Sequence, residues 1–382
     1  MPVRRTCHLF AVPAAVLLAI AAACSDGTSP NRSPPRPHYI AVAAGYEFTC
    51  ALTSDQRTYC WGNTPLGNDS VPIPLATPEP LVSISASPEV FGANVCGLGA
   101  TGRAYCWGMM ITNDYPYPYP SSPFAMPESL SFLSLSVAQG HVCGITVDSL
   151  GICWGSYLAG KRGTGQPIPI GPSGVRPLGE IWLDLVPNPV TGDFKFTRIA
   201  AGGWHTCGVL GGGYQGQIAC WGDSSLLGNP GAPYTDADSI CGLWFVCVPH
   251  PVLGPPLTGV SELSAGQSQT CALAASGLRC WGSAAASAVA LPPDGVIALS
   301  TGRWQACAVL RGGAAWCWAD GGSPTVVPFD GDFVTISAGG SHSCAITTGG
   351  RVLCWGSNFS GQLGDGSTEP SLVPVEVAGP RS

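Results

Sequence analysis

The sequence predicts an all-β, seven-bladed β-propeller with four-stranded blades and one disulfide per blade. Three observations lead there. Gly and Pro make up 88 of 382 residues while charged residues are only 10 %, against typical values of ~12 % and ~25 %. The string Cys-Trp-Gly recurs around a sevenfold Cys…Cys pattern. Short alternating segments with regular turn signals separate the cysteines, which is the signature of strands. This composition excludes coiled coils, helical bundles and charge-rich disordered chains.

In chain order, Met1–Cys24 reads as a secretory leader: Arg4 and Arg5 precede an apolar run from Leu9 to Ile20, then Ala21, Ala22, Ala23 and Cys24. A cysteine directly after small residues resembles a bacterial lipoprotein signal, with Cys24 as the lipidation site. The expected location is therefore the cell envelope, or the medium if the leader is simply cleaved. Residues 25–38 are Ser/Pro-rich and read as a tether. Without Arg4 and Arg5 the chain carries 14 basic against 23 acidic residues, a net −9. No cluster of Lys and Arg suits nucleic acid.

The repeats follow, at about 39–80, 81–130, 131–194, 195–257, 258–292, 293–330 and 331–380. Cys-Trp-Gly stands at Cys60, Cys106, Cys153, Cys220, Cys280 and Cys354, with a degraded copy at Cys317. Each is preceded by a cysteine: Cys50, Cys96, Cys143, Cys207, Cys271, Cys307 and Cys344. First strands are expected at Tyr39–Ala44, Phe196–Ala201 and Phe333–Ala338. Second strands carry the first cysteine (TCALT, 49–53), third strands the second (RTYCWG, 57–62), and fourth strands follow a Pro-rich stretch (SLVPVEV, 371–377). Seven such units close radially and protect their edges. The once-per-unit tryptophans Trp61, Trp107, Trp154, Trp221, Trp281, Trp318 and Trp355 are expected to pack between blades.

A hairpin turning at Asp55 sets Cys50 opposite Cys60. Directly opposed residues on antiparallel strands lie ~4.5–5.5 Å apart at Cα, within the range that a disulfide spans. The same pairing is expected for Cys96–Cys106, Cys143–Cys153, Cys207–Cys220, Cys271–Cys280, Cys307–Cys317 and Cys344–Cys354. Cys241–Cys247 is expected as a local staple. An even cysteine count fits an oxidising compartment. Pairs placed one to a blade cannot converge on zinc, so no metal or cofactor is expected.

The last unit, SAGGSHSCAITTGGRVLCWGSNFSGQLGDGSTEPSLVPVEV, resembles the regulator of chromosome condensation repeat. The resemblance rests on Gly339, Gly340 and His342 in a Gly-Gly-x-His turn, and on Trp355, Gly356, Asn358, Gly361, Gln362, Leu363 and Gly364. Fragments recur at 61–69 and 221–229. The resemblance implies a seven-bladed propeller. The family's nucleotide exchange on a nuclear GTPase does not carry over to an acidic, exported chain. Secreted bacterial relatives include a β-lactamase inhibitory protein, so extracellular protein binding is one use of this scaffold.

Catalytic patterns are missing: no G-x-S-x-G, H-E-x-x-H or P-loop occurs. Gly211, Gly213 and Gly216 match G-x-G-x-x-G only within a hairpin loop. His141, His205 and His342 each stand two residues before a first cysteine. A turn role is expected, with the side chain bonding a nearby backbone group. Departures from symmetry point to binding instead. Tyr46, Trp204 and Trp304 occupy the first turn of their units, Tyr115, Tyr117 and Tyr119 alternate with proline, and Trp244 and Phe245 lie between Cys241 and Cys247. Aromatic residues on rigid loops suit recognition. The expected function is a non-enzymatic, envelope-anchored or secreted binding scaffold, acting as a monomer, for an extracellular protein or polysaccharide. A glycan-active hydrolase or lyase and a structural stalk are the alternatives, and nucleotide exchange ranks last.

Overall fold

The computed structural model describes residues 38–64, 66–89, 94–108, 123–156, 158–165, 183–214, 216–227, 245–251, 257–282, 287–292, 295–319 and 321–380. Among them, seven four-stranded antiparallel sheets form, each from four strands consecutive in sequence. These are the blades of a β-propeller. The first strands, Tyr39–Ala44, Leu81–Ala86, Phe132–Ala138, Phe196–Ala201, Glu262–Ala265, Val296–Thr301 and Phe333–Ala338, surround a channel of about 240 Å³. Small and aliphatic residues line it, among them Val42, Ile84, Leu135, Ser300 and Ser337.

Each blade carries its disulfide between the second and third strands, from Cys50–Cys60 to Cys344–Cys354. The Cα separations are 4.0–4.2 Å, shorter than the hairpin count suggests. The register supplies the reason. Thr53 donates its N–H to Arg57 O across the first hairpin, and bonded pairs alternate from there. Cys50 and Cys60 therefore meet at a non-hydrogen-bonded position, where opposed strands approach most closely. Cys241 lies outside the described residues, as do Cys24 and the proposed leader.

The tryptophans join the blades. Trp61 packs with Cys344 and Cys354, the disulfide of the seventh blade. Trp107 packs with Cys50 and Cys60, Trp154 with Cys96 and Cys106, and Trp318 with Cys271 and Cys280. Each blade thus lays its indole against the sulfurs of the blade before it, and all seven indoles are buried. A second set of contacts comes from the first strands. Ser85, Ser136, Ser264, Ser300 and Ser337 each accept a hydrogen bond from a backbone N–H of the following blade: Val137, Ala201, Thr301, Ala338 and Ala44. Ala43 and Ala200 occupy the two equivalent places and have no hydroxyl to offer.

Among the described residues, no strand crosses from one end of the chain to the other to close the ring. Blade 1 is built from residues 39–74 and blade 7 from residues 333–376. The join between them repeats the internal ones. Tyr39 N–H donates to Gly350 O, as Phe132 does to Gly102, Phe196 to Ser149 and Phe333 to Gly313.

Six first strands carry a bulge at their second residue. In blade 1, Tyr39 faces Thr53 and Ala41 faces Leu52, leaving Ile40 extra. Val82, Leu133, Thr197, Ile297 and Val334 are extra in the same way. A bulge bends the strand and turns the spare side chain outward, and all six are exposed.

Candidate functional site

The turn between first and second strands places one loop of every blade around the same end of the channel. These turns are held together backbone to backbone. Gly203 N–H donates to Gly266 O, Arg303 N–H to Gly339 O and Gly340 N–H to Gly45 O. The loops approach so closely that a Cβ on Gly302 would lie 2.2 Å from Gly339 O. Only glycine fits there.

The three histidines lie directly beneath these turns, fully buried. Their Nε2 atoms meet threonines of the next blade, rather than the nearby backbone groups that the sequence suggested. His141 Nε2 meets Thr206 Oγ1 at 2.8 Å, His205 Nε2 meets Thr270 Oγ1 at 2.6 Å, and His342 Nε2 meets Thr49 Oγ1 at 2.8 Å. Thr49 Oγ1 donates to Gln362 O and Thr206 Oγ1 to Lys161 O. Each of these hydroxyls has spent its proton, so it accepts from the imidazole, which fixes the Nε2–H tautomer. The Nδ1 atoms of His205 and His342 are buried without a partner.

Burial therefore pushes His205 down to about 4 and His342 to about 3, and holds His141 well below its ordinary value. A native state that refuses protons the unfolded chain accepts loses stability as pH falls below ~6.5. The expected loss is about 1.5 kcal/mol per histidine between pH 6.5 and 5. Gln305 shows how to separate this from packing: it occupies the equivalent place and donates through Nε2 to Ser343 Oγ of the next blade. His342→Gln is expected to keep the bond while removing that histidine's share of the acid loss. Urea unfolding at pH 7 and pH 5 measures it; an unchanged pH difference in the variant refutes the assignment.

Among the predicted binding residues, the structure brings three to this end of the channel. Tyr46 and Trp204 are half-buried and Trp304 is 53 % exposed. They are not equivalent, because Tyr46 occupies the turn position of Gly203 and Arg303, whereas Trp204 and Trp304 follow one residue later. Tyr115, Tyr117, Tyr119 and Trp244 lie outside the described residues. Phe245 opens the fourth strand of blade 4, paired with Asp223.

Polar groups that the sequence did not single out complete the cluster. Arg303 lies over the Tyr46 ring at 5.2 Å and the Trp304 ring at 4.6 Å, and its Nε donates to Gln267 Oε1 at 2.6 Å. Gly340 makes room, since a Cβ there would lie 2.6 Å from Tyr46 Cδ2. Lys161 is buried, donates to Gln139 O and Gly203 O, and lies 5.3 Å from the Trp204 ring. Burial lowers its ammonium to about 7, opposed by the charge of Glu89. Glu89 is itself buried with neither carboxyl oxygen hydrogen-bonded. Burial raises it to about 7, opposed by Arg303 and Lys161. No group of three or more His, Cys, Asp or Glu residues suited to a metal occurs among the described residues.

The position of Lys161 exposes a hidden repeat. Residues 154–165 read WGSYLAGKRGTG, in step with WGSNFSGQLGDG at 355–366. The main chain performs the same task in both. Gln362 O accepts from Thr49 Oγ1 and Trp61 Nε1 of the next blade, and Lys161 O accepts from Thr206 Oγ1 and Trp221 Nε1.

Comparison with known families matches the blade 7 copy of this segment and not the blade 3 copy. Profiles for the regulator of chromosome condensation (RCC1) repeat match residues 39–67 and 333–362, and a second profile of that description matches residues 349–382. Residues 39–67 and 333–382 thus match the RCC1 repeat. Solved structures agree on the fold. Human WBSCR16 superposes with a TM-score of 0.63 at 18 % identity, covering 81 % of this chain and 84 % of that one. Prp20p from Saccharomyces cerevisiae, described with its binding to Gsp1p and histones, gives 0.64 at 17 % identity over 84 % and 85 %. The CRINKLY ectodomain of the Arabidopsis thaliana receptor kinase ACR4 gives 0.52 at 20 % identity over 90 % and 98 %. Against the RCC1 repeat of blade 7, blade 3 substitutes Lys161-Arg162 for Gln362-Leu363. Gln362 closes its own loop, accepting from Ser360 N–H and donating to Ser357 Oγ. A lysine has no acceptor, so Lys161 turns its ammonium to the carbonyls of the neighbouring turns.

Proposed function

We propose that the protein is a non-enzymatic binding scaffold, exported and held at the cell envelope by a lipid on Cys24, that presents the Tyr46–Arg303–Trp304 face to an extracellular partner. One observation carries this reading: a cation fixed between aromatic rings, with Trp304 exposed, on turns locked to each other by backbone hydrogen bonds. Such a surface loses little entropy on binding, and Trp, Tyr and Arg dominate recognition energetics. The disulfides support an oxidising compartment. The chain enters the propeller at Tyr39, at the opposite end of the first strand from these turns.

Glu89 favours a second reading, a glycan-active enzyme, because a carboxyl near neutrality can move a proton. Hydrolysis at such a site calls for a second carboxylate ~5–9.5 Å away. The binding reading is preferred because the exposed Trp304 and the ring-held Arg303 form a recognition surface whatever the role of Glu89.

Affinity capture tests it. The oxidised protein is immobilised and exposed to envelope and secreted fractions of its own cell. Retained material is expected to fall at least tenfold with Trp204→Ala/Trp304→Ala. Equal retention by a folded variant rejects this face as the binding surface.

A further inference from the structure

We propose that Arg303 anchors a uronate unit of an acidic polysaccharide at the mouth of the channel, its guanidinium fork gripping the sugar carboxylate. This deepens the binding-scaffold reading and rests on it.

The guanidinium is fixed before any ligand arrives. Gln267 Oε1 holds Nε, and the rings of Tyr46 and Trp304 hold the plane. What remains is the Nη1–Nη2 edge, which has no hydrogen-bond partner among the described residues. That edge presents parallel N–H donors at the spacing of a carboxylate's two oxygens. Lys161 is not an equivalent anchor, because its ammonium already donates to Gln139 O and Gly203 O.

Two further groups at the same mouth call for donors. Glu89 Oε1 and Oε2 are buried and unpartnered, and so is Gln139 Oε1. Buried acceptors without hydrogen bonds are costly, and a ligand that supplies hydroxyls relieves them. Glu89, Gln139 and Arg303 all stand on the turns between first and second strands, at the same end of the channel, and the charges of Glu89 and Arg303 act on each other. The site therefore asks for a carboxylate and hydroxyl donors on one small unit. A uronate has both on a single ring, and its C–H face suits the exposed face of Trp304. An acidic peptide side chain brings acceptors only and meets the unpartnered carboxyl of Glu89. The overall charge of −7 repels an acidic chain at long range, so the attraction is local to the Arg303 fork, and added salt helps by screening the repulsion.

Titration calorimetry on the oxidised full chain tests this with defined probes: oligomers of galacturonate, glucuronate and mannuronate, neutral galactose and glucose oligomers of equal length, and a Glu-rich peptide. At least one uronate oligomer is expected to bind tenfold or more tightly than its neutral counterpart. Arg303→Lys should weaken it at least tenfold, since a lysine lacks the fork, and Arg303→Ala should abolish it. Glu89→Gln keeps an acceptor and should leave binding equal or tighter. Near-ultraviolet circular dichroism checks that each variant is folded. The proposal is overturned if every uronate binds no better than its neutral analogue, if Arg303→Ala binds like the wild type, or if the Glu-rich peptide binds in their place. Failure here with Trp304-dependent capture intact removes the uronate and leaves the scaffold reading; failure of both removes both.

Discussion

Full reduction of the protein, which opens the seven blade disulfides, is expected to unfold the propeller at 25 °C. Each bridge closes a loop of about ten residues, and in the chain-entropy model each contributes about 2.7 kcal/mol. Together they supply on the order of 15–20 kcal/mol, more than the ~5–15 kcal/mol that separates an ordinary folded domain from its unfolded state. Their place in the packing raises the stakes. Every inter-blade tryptophan lies against a cystine of the preceding blade, so reduction also loosens the surface on which the next blade rests. Near-ultraviolet circular dichroism with and without a phosphine reductant reports the outcome. A cooperative melting transition that survives complete reduction would mean that the tryptophan interfaces hold the ring by themselves. Removing a single bridge, as in Cys344→Ala/Cys354→Ala, should cost about 2–3 kcal/mol and leave the fold in place.

The second large effect is expected at Gly302→Ala, with a loss of about 3 kcal/mol. The added methyl would sit 2.2 Å from Gly339 O and 3.0 Å from Ala338 C. Both are backbone atoms of the next blade, so no side chain can swing away and the turns themselves must separate. Gly312, in the same blade, is the control. A Cβ there meets nothing within 4 Å, so Gly312→Ala should be neutral or slightly stabilising. Urea midpoints of the two variants settle the matter; similar midpoints would mean that the ring of turns is looser than its spacing implies.

The parts of the fold that depend on counting along one hairpin could be read from the sequence. The ten-residue spacing sets the Cys50–Cys60 register, and the first strands at Tyr39–Ala44, Phe196–Ala201 and Phe333–Ala338 have the bounds that alternation suggests. What depended on neighbouring blades was harder to see. The partner of His342 is the residue just before the first cysteine of the next blade, and the chemistry matches across several joins: His with Thr, Gln305 with Ser343, Phe48 beside Val95. Where Ala306 stands in that place, Gln269 Nε2 is left unpaired. That rule is present in the sequence but appears only when turns are compared one blade out of step.

The repeat in blade 3 was masked for a different reason. Its structural work is done by the carbonyl of Lys161, so the side chain was free to change and identity faded while spacing survived. In the candidate site, Trp304 and Tyr46 were legible because aromatic residues break the pattern of small turn residues. Arg303 was not, because a single arginine in a turn reads as ordinary surface charge. Glu89 lies in the longest of these turns, where no local pattern marks a buried carboxyl.

The contiguous blades have a consequence for how this molecule could be rewired. Propellers that borrow a strand from the far end of the chain have a clasp, and cutting elsewhere does not reproduce it. Here the join between last and first blade uses the same bonds as its neighbours, so the order in which the blades are read is incidental to the circle they make. A chain begun at any blade and spliced across the present ends would contain every interface of the original, and the binding face would keep its membership whichever blade was translated first.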